Sequence, residues 1–266
     1  MSEFELVKKK IAGMAAHAFA MEATTSQCAS FIDRGADDYM LETAMLKVFS
    51  TEALWIIVND MIQIFGGQAY FSNEPYERMM RDARINQIGE GANDVLRAFI
   101  ALVGMRGVGE QLKGMLDHPL KERGAVWRFV RGQVGSRLHL MAPEVSVRSS
   151  GLQADARRLG QRVRDFGLGL VDTLRKYREA ILERQYVQER ITDAACDLYA
   201  SSCTLSRLDS LLAGGNHRPA EDDPDVIAGR YFLKIADRRI RHNLAALHDN
   251  DDEETTKTAN AVLREF

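Results

Sequence analysis

The amino-acid sequence predicts an all-α protein. Apolar residues recur at steps of three and four along most of the chain, which is the spacing of one helix face. No stretch sustains the alternation of apolar and polar residues that is typical of a strand. Only 5 of the 266 residues are proline, which leaves room for long uninterrupted helices. We therefore expect helices throughout, arranged as two helical units.

The first unit is predicted to contain three main helices. The apolar face of the first helix consists of Val7, Ile11, Met14, Ala18 and Met21. Gly35 is expected to cap its C-terminus, and Asp37 or Asp38 is expected to cap the second helix. The second helix runs from Leu41 to Ile62 and is apolar on most faces, so we expect it at the buried centre of a bundle.

Between the second and third helices the prediction is mostly loop, with a short turn of helix as the alternative. Gly66-Gly67 end the second helix, and residues Gln68 to Arg84 have weak helical periodicity and include Pro75. The third helix is expected to begin near Gly91. Beyond it, scattered glycines and prolines between residues 105 and 150 predict a connecting region.

The second unit is predicted to contain four helices. The apolar face of its first helix consists of Leu152, Leu159, Val163, Phe166, Leu170, Leu174, Tyr177 and Ile181. The face of its second helix consists of Val187, Ile191, Leu198, Leu205, Leu208 and Leu212. A third helix, Val226 to Leu247, opens after Pro224, and a short final helix follows the acidic residues 251–254. The chain is therefore divided into residues 1–104, a connection over 105–150, and residues 151–266.

Composition and residue spacing argue against several kinds of site. The formal net charge of −3 gives no electrostatic pull toward nucleic acid. The cysteines, Cys28, Cys196 and Cys203, lack the spacing of metal ligands and are interpreted as reduced core thiols. The histidines form no ligand motif, so no metal site is predicted. No apolar run suits a membrane-spanning helix, and the residues after Met1 lack the pattern of a signal peptide.

One basic stretch leaves two interpretations open. Between Lys121 and Arg137 the chain carries five positive residues and one acid, with Trp127 and Phe129 interleaved. An ordinary solvated helix face has this composition. A segment that lies on an anionic bilayer has it as well.

Three segments stand in a characteristic order. They are Gln63-Ile64-Phe65-Gly66-Gly67, Glu77-Arg78-Met79-Met80-Arg81-Asp82 and Gly89-Glu90-Gly91-Ala92-Asn93-Asp94. Together they resemble the C-terminal helical domain of the acyl-CoA dehydrogenase family, whose last segment reads aromatic-E-G-T before a helix. This domain is similar to a four-helix bundle. Residues from about Met105 onward resemble the extra helical domain of the family's very-long-chain branch, through local likenesses such as Asp197-Leu198-Tyr199-Ala200.

The resemblance implies a flavin-dependent enzyme. Its reaction would be the FAD-dependent α,β-dehydrogenation of a long-chain acyl-CoA in fatty-acid β-oxidation, with Glu90 as general base. The implied cofactor contacts are Gln63, Ile64, Phe65, Gly66, Gly67, Ala92, Asn93 and Asp94, of which the first five would contact FAD of the neighbouring subunit. Gly89 and Gly91 would leave room for the substrate. Two positions depart from the family, since Gly89 replaces an aromatic residue and Ala92 replaces a threonine.

The same resemblance implies partners. The family works as homodimers and passes electrons to an electron-transfer flavoprotein. Its N-terminal helical domain and middle β-domain would precede Met1, so we expect a fragment, one half of a split enzyme, or a stand-alone remnant. A non-catalytic helical dimerisation or assembly module derived from the family is the alternative function. The expected location is the cytoplasm or the periphery of the inner membrane.

Overall fold

The computed structural model of the chain describes residues 2–117, 142–214 and 221–265. These residues contain eight α-helices and no strand, which confirms the all-α prediction. The helices are α1 (Glu5–Asp33), α2 (Met40–Phe65), α3 (Tyr76–Asn86), α4 (Asn93–Asp117), α5 (Gln153–Tyr177), α6 (Gln185–Ala213), α7 (Pro224–Ala245) and α8 (Asp252–Leu263). Short 3₁₀ segments occupy Gly66–Tyr70, Ser150–Leu152 and Arg178–Glu183. The basic stretch Lys121 to Arg137 lies outside the described residues.

Several helix ends carry the capping residues that the sequence suggested. Gly35 follows α1 with a positive φ of 72°, as glycine does in the left-handed C-terminal cap. The N-cap position of α2 is Tyr39 and not Asp37 or Asp38, and no side chain caps the helix there, although the carboxylate of Asp38 accepts a hydrogen bond of 3.0 Å from the amide of Met40. Pro224 opens α7, and the side chain of Asp223 caps that helix. Local chemistry therefore sets these boundaries.

The prediction of mostly loop between Gln68 and Arg84 is wrong. Helix α3 occupies the second part of this stretch. Its apolar residues Tyr76, Met80 and Ala83 do stand at helical spacing, but they are few among charged residues, so the periodicity of the whole stretch is weak. Pro75 precedes the helix instead of interrupting it. A hydrogen bond of 2.6 Å from Arg81 to Glu77, one turn earlier, supports the helix along its exposed side.

Two other helix boundaries also differ from the prediction. Helix α4 continues to Asp117, well into the stretch that was expected to connect the units. Glycine inside a helix weakens it without ending it, which explains the difference. Helix α5 stops at Tyr177, where Arg178 adopts a φ of 49°, and Ile181 lies in the following 3₁₀ segment. The division of the chain at residues 104 and 150 stays a prediction.

Helices from both predicted units share their apolar cores. One cluster joins α1, α2 and α4 to α6 and α7, and its buried members include Ala16, Ala20, Met45, Val48, Phe49, Ile100, Cys196, Ala200 and Phe232. Helix α2 packs against α1, α3, α4 and α6. It buries six of its residues, whereas α6 buries sixteen, so α6 is the buried centre and the prediction of a central α2 is wrong. A second cluster packs α5, α6 and α7 against Phe19 of α1. The helices after residue 150 thus help to support α2 and α4.

The structure describes the state of the cysteines, the grouping of potential metal ligands and the apolar character of the helices. Cys28, Cys196 and Cys203 are buried free thiols. Across the described ranges, no group of three or more histidine, cysteine, aspartate or glutamate side chains is placed to hold a metal ion. None of the helices in those ranges combines the length and the apolar character that crossing a bilayer requires.

Candidate functional site

Residues 87–92 join α3 to α4. We call this link, together with Asn93 at the start of α4, the Glu90 turn. Glu90 has a φ of 54°, and Gly91 follows with a φ of 92°. A positive φ is uncommon for a residue with a side chain and persists where the surrounding structure enforces it. The amide of Asn93 donates to the carbonyl of Gln87 at 3.0 Å and closes the turn. The side chain of Glu90 is exposed in this chain.

Glu52 of α2 holds both ends of the Glu90 turn. Its Oε2 accepts a hydrogen bond of 2.8 Å from Gln87 Nε2. Its Oε1 accepts one of 2.9 Å from Asn93 Nδ2. Gln87 and Asn93 are both buried, and buried amides require hydrogen-bond partners. The carboxylate of Glu52 therefore fixes the entry and the exit of the turn relative to α2.

Lys47 and Thr51 complete the attachment of the turn to α2. Lys47 Nζ donates to the carbonyl of Gly91 and to Asn93 Oδ1, both at 2.7 Å. Asn93 Nδ2 also lies 2.9 Å from the hydroxyl of Thr51. Burial lowers the pKa of Lys47, and the charge of Glu52 opposes that shift. We call Lys47, Thr51 and Glu52 the α2 clamp.

The contacts of the α2 clamp continue to α4 and α6. Arg97 Nη2 on α4 donates to Glu52 Oε1 at 3.2 Å. Its Nε donates to Asp193 Oδ1 on α6 at 2.9 Å. Burial acts to lower the pKa of Arg97, but the charges of Asp193 and Glu52 outweigh it and raise that pKa. Arg97 is therefore a permanent cation that links two carboxylates from different helices.

A cavity of about 190 Å³ lies beside these contacts, between α1, α2, α4, α6 and α7. Its polar lining consists of His17, Glu52, Arg97, Asp193, Asp197, Arg239 and Asn243. Arg239 donates two hydrogen bonds to Asp197 and a third, of 3.0 Å, to His17 Nε2. A guanidinium group only donates, so Nε2 of His17 carries no proton and the ring is neutral. Burial lowers the pKa of His17, in agreement with this assignment.

The other predicted segment, Gln63 to Gly67, lies at the C-terminal end of α2. Gly66 ends the helix with a φ of 64°. A Cβ added at Gly66 or at Gly67 would meet nothing within 4 Å, so the backbone there is open to an approaching group. Phe65 stacks on Tyr76 of α3 with ring centroids 4.5 Å apart. The side chains of Gln63 and Phe65 are exposed.

The structure does not bring the two predicted parts of the site together. Glu52, which holds the Glu90 turn, and Gly66 are roughly 20 Å apart along α2, at about 1.5 Å per residue. The contact of Gln63 to Gly67 with the FAD of a neighbouring subunit stays a prediction.

The remaining predicted residues occupy contrasting positions. The Asn93 side chain is buried, and its amide is engaged by the α2 clamp. Asp94 is exposed, and its Oδ1 lies 3.6 Å from Arg97 Nη1. The small residues expected to leave room for ligands, Gly89, Gly91 and Ala92, all lie on the Glu90 turn. Their roles stay predictions.

The α2 clamp was not predicted from the sequence. Lys47 and Glu52 are two of the four charged residues of α2, a helix that is apolar on most faces. Charged residues on such a helix usually have partners, so this pair was the available signal. Asp193 offered no comparable signal, because its partner Arg97 is 96 residues away in the sequence.

Two protein-family models match the chain. Residues 1–105 match the model described as acyl-CoA dehydrogenase, C-terminal domain. Residues 150–265 match the model described as ACAD9/ACADV, C-terminal domain. Together the two matches cover most of the chain.

Curated relatives extend the same finding. The mitochondrial very long-chain specific acyl-CoA dehydrogenase of Rattus norvegicus is 32% identical over 263 residues, which span 94% of this chain and 39% of that protein. The human protein of that name is also 32% identical over 263 residues. A probable acyl-CoA dehydrogenase, FadE10, of Mycobacterium tuberculosis is 24% identical over 283 residues. The chain spans 38% to 43% of the length of these relatives.

A solved structure has the same fold. It is an acyl-CoA dehydrogenase from Bacillus anthracis complexed with FAD, with a TM-score of 0.73 and 22% identity. The match covers 96% of this chain and 44% of that one. At this identity the likeness shows the arrangement of the helices alone.

Proposed function

This chain belongs to the acyl-CoA dehydrogenase family, and on that premise we propose that it supplies the catalytic-base half of an FAD-dependent enzyme acting on long-chain acyl-CoA. The observation that carries the proposal is the position of Glu90. The residue stands on a turn with positive φ, next to a glycine, and the α2 clamp fixes the turn at both ends. The relatives named very long-chain specific support the substrate class.

In the proposed reaction, Glu90 removes the proton from the carbon next to the thioester. The hydrogen on the following carbon leaves as a hydride, and FAD, when bound, supplies its acceptor. Gly91 has a φ of 92°, and a Cβ there would face Leu96 at 3.4 Å, so glycine is required by the backbone of the turn that carries the base. The α2 clamp holds the base in place, and this matters because a displacement of about 1 Å can reduce a rate on the order of 10²-fold.

The residues from Gln63 to Gly67 fit the dinucleotide part of FAD. The open backbone at Gly66 and Gly67 presents peptide groups to a pyrophosphate without a side chain in the way. On the Glu90 turn, Ala92 brings no hydroxyl where the family has one. We therefore propose that contacts to the flavin near Ala92 come from the backbone.

The proposal requires that another part of the enzyme covers Glu90. A carboxylate becomes a stronger base in a water-poor site, because desolvation raises its pKa. Glu90 is exposed in this chain, which spans 39% of the length of the rat relative. We propose that the family domains that this chain does not span cover the base, on the same polypeptide or on another.

Partners and location follow from the same premise. We propose a homodimer in which a second copy faces Gln63 to Gly67, and an electron-transfer flavoprotein as electron acceptor. We also propose that Lys121 to Arg137 contacts the anionic surface of the inner membrane. Such contact should weaken as salt rises, because exposed charges are screened over about 10 Å at 0.1 M salt.

Anaerobic mixing with a long-chain acyl-CoA tests the proposal through bleaching of the oxidised flavin. The sample is the FAD-loaded protein, supplied with the remaining family domains where this chain does not retain FAD. Glu90→Gln is nearly isosteric, so it should keep the fold and the flavin. It should slow bleaching by at least about 10²- to 10⁴-fold, because an amide does not accept the proton. Glu253→Gln, on the exposed side of α8, is the matched control and should bleach normally.

Three results would count against the proposal. Normal bleaching in Glu90→Gln, with loss in Asp94→Asn, would move the base to Asp94. Normal bleaching in both variants would end the assignment of this site. A wild-type protein that binds no FAD when all the family domains are present would favour the non-catalytic assembly module.

A further inference from the structure

We propose that Asp193, on helix α6, is a positioning residue for Glu90 and acts through Arg97 and the α2 clamp. The inference rests on the proposed function, in which Glu90 is the base. Helix α6 lies in the half of the chain after residue 150, whereas Glu90 lies near the end of the first hundred residues. The second half would therefore take part in placing the base.

Helix α6 holds Arg97 at two points. Asp193 Oδ1 accepts from Arg97 Nε at 2.9 Å. The hydroxyl of Thr192, the residue before, donates to the carbonyl of Arg97 at 2.6 Å. Thr192 is 0% exposed, and the side chain of Arg97 is 14% exposed. Neighbouring residues of one helix thus fix both the side chain and the backbone of Arg97.

Arg97 transmits this constraint to the turn through Glu52. Its Nη2 donates to Glu52 Oε1, the same oxygen that accepts from Asn93 Nδ2. The other oxygen of Glu52 accepts from Gln87. A carboxylate that is bound on several sides has one orientation, and hydrogen bonds to ionised groups are the stronger ones. An unbroken path of such bonds runs from α6 to both ends of the Glu90 turn.

Loss of the Asp193 charge should loosen the turn without unpacking α6. Arg97 would keep Glu52 at 3.2 Å and Asp94 at 3.6 Å as partners, and Asp94 is almost fully exposed. The Nε of Arg97 would lose its anchor on α6, so the guanidinium could turn toward Asp94 or the nearby charge of Glu189 and would hold Glu52 in a less fixed orientation. The apolar residues next to Asp193 on α6, such as Ala194 and Cys196, would keep their buried contacts.

Hydrogen exchange measured by mass spectrometry tests the structural half of the inference. The amides of Gly89 and Asn93 donate to the carbonyls of Ile85 and Gln87, so they report on the turn. Asp193→Asn should speed their exchange by about tenfold while peptides from the core of α6 exchange as in wild type. Asp193→Glu, which keeps the charge, should restore part of the protection.

A matched control separates this effect from the loss of any aspartate–arginine pair. Asp172→Asn removes an exposed pair with Arg175 on α5, whose closest charged atoms are 3.8 Å apart. It should leave exchange in the Glu90 turn unchanged. Faster exchange in the turn with this control would overturn the inference, because the turn would then respond to any change of surface charge.

The flavin-bleaching assay tests the catalytic half. In the FAD-loaded protein, Asp193→Asn should slow bleaching at saturating acyl-CoA by between about tenfold and 10²-fold. The acyl-CoA concentration for half-maximal rate should stay the same, because Asp193 acts on the base and not on binding. A purely structural role would instead lower the fraction of protein that holds flavin.

The outcomes distinguish this inference from the proposed function. Unchanged exchange and unchanged bleaching in Asp193→Asn, with an active wild type, would overturn the inference alone. Faster exchange throughout α4 and α6 would also overturn it, since Asp193 would then act on global stability. A wild-type protein that holds FAD without bleaching would overturn the proposed function, and the exchange data would still show whether α6 holds the turn.

Discussion

The Glu90 turn and the Gln63 to Gly67 segment are attached to the same helix but are held in different ways. The turn is joined to α2 by Lys47, Thr51 and Glu52, through buried amides at Gln87 and Asn93. The segment has an open backbone at its glycines and exposed side chains at Gln63 and Phe65. The chain therefore holds the Glu90 turn with many hydrogen bonds and holds the Gln63 to Gly67 segment with few.

This difference matches what each region is proposed to do. A base must be placed by the chain that carries it, because its distance from the reacting carbon decides the rate. A segment that meets a cofactor or a second copy of the chain needs accessible backbone groups, and the binding partner then orders it. Substitutions at the two regions should therefore lower the free energy of unfolding by different amounts.

The largest expected effect separates the two regions directly. Glu52→Ala removes the acceptor of Gln87, Asn93 and Arg97, so we expect a loss of about 2–3 kcal/mol in the free energy of unfolding. Glu74→Ala, beside the open segment, removes one exposed hydrogen bond from Gln68 and should change that free energy by less than about 0.5 kcal/mol. Urea unfolding followed by circular dichroism measures both. Equal losses would remove the contrast between the regions.

A smaller effect is expected inside the open segment, from backbone strain. Gly66 has a φ of 64° and a ψ of −146°, which a residue with a Cβ rarely adopts. Gly66→Ala should cost about 1–3 kcal/mol in the free energy of unfolding. Gly67→Ala has equal space around it and no positive φ, so it should be nearly neutral. A neutral Gly66→Ala would show that the segment has no fixed conformation, which would sharpen the contrast with the turn.

The smallest expected effect is a pH dependence from the cavity beside the α2 clamp. Burial lowers the pKa of His17 below its ordinary 6.5. As the pH falls, His17 therefore takes up a proton in the unfolded chain before it does so in the folded chain. The free energy of unfolding should be highest above about pH 6.5 and should decrease as the pH falls toward the pKa of His17 in the folded chain. The slope is at most about 1.4 kcal/mol per pH unit.

Urea unfolding of wild type and His17→Gln at pH 7.5, 6.5 and 5.5 isolates this contribution. The variant should lack the part of the slope that His17 causes, while carboxylates affect both proteins alike. Parallel slopes in the two proteins would show that His17 does not titrate in this way, and would leave the cavity without a part in the pH dependence.

Much of the fold was accessible from sequence because it depends on local signals. The apolar faces of α5 and α6 repeat at helical spacing, and Gly35 and Pro224 mark helix ends by their backbone preferences. The predicted face of α1 is wrong, because the helix buries Ala16, Phe19 and Ala20 and leaves Ile11 and Ala18 exposed. Helix α3 was missed because it spans only 11 residues and its apolar face is limited to a few residues such as Tyr76, Met80 and Ala83. Helix α4 was predicted too short because its glycines were read as breaks.

The site was accessible only in part. The motif around Glu90 is contiguous in sequence, so a resemblance could locate it. The contacts that hold it are not contiguous, since Glu52 lies 41 residues before Asn93 and Arg97 lies 96 before Asp193. Only the folded chain brings these side chains together, and no spacing rule predicts pairs at such distances.

The central claim is that Glu90 is the base, and exchange of the α-hydrogen of bound acyl-CoA tests it most directly. The FAD-loaded protein is reduced beforehand, so no net oxidation occurs, and the incorporation of deuterium from D₂O into acyl-CoA is followed by mass spectrometry. Wild type should incorporate deuterium, and Glu90→Gln should do so at least about 10²-fold more slowly. Incorporation at the wild-type rate in Glu90→Gln would contradict the account.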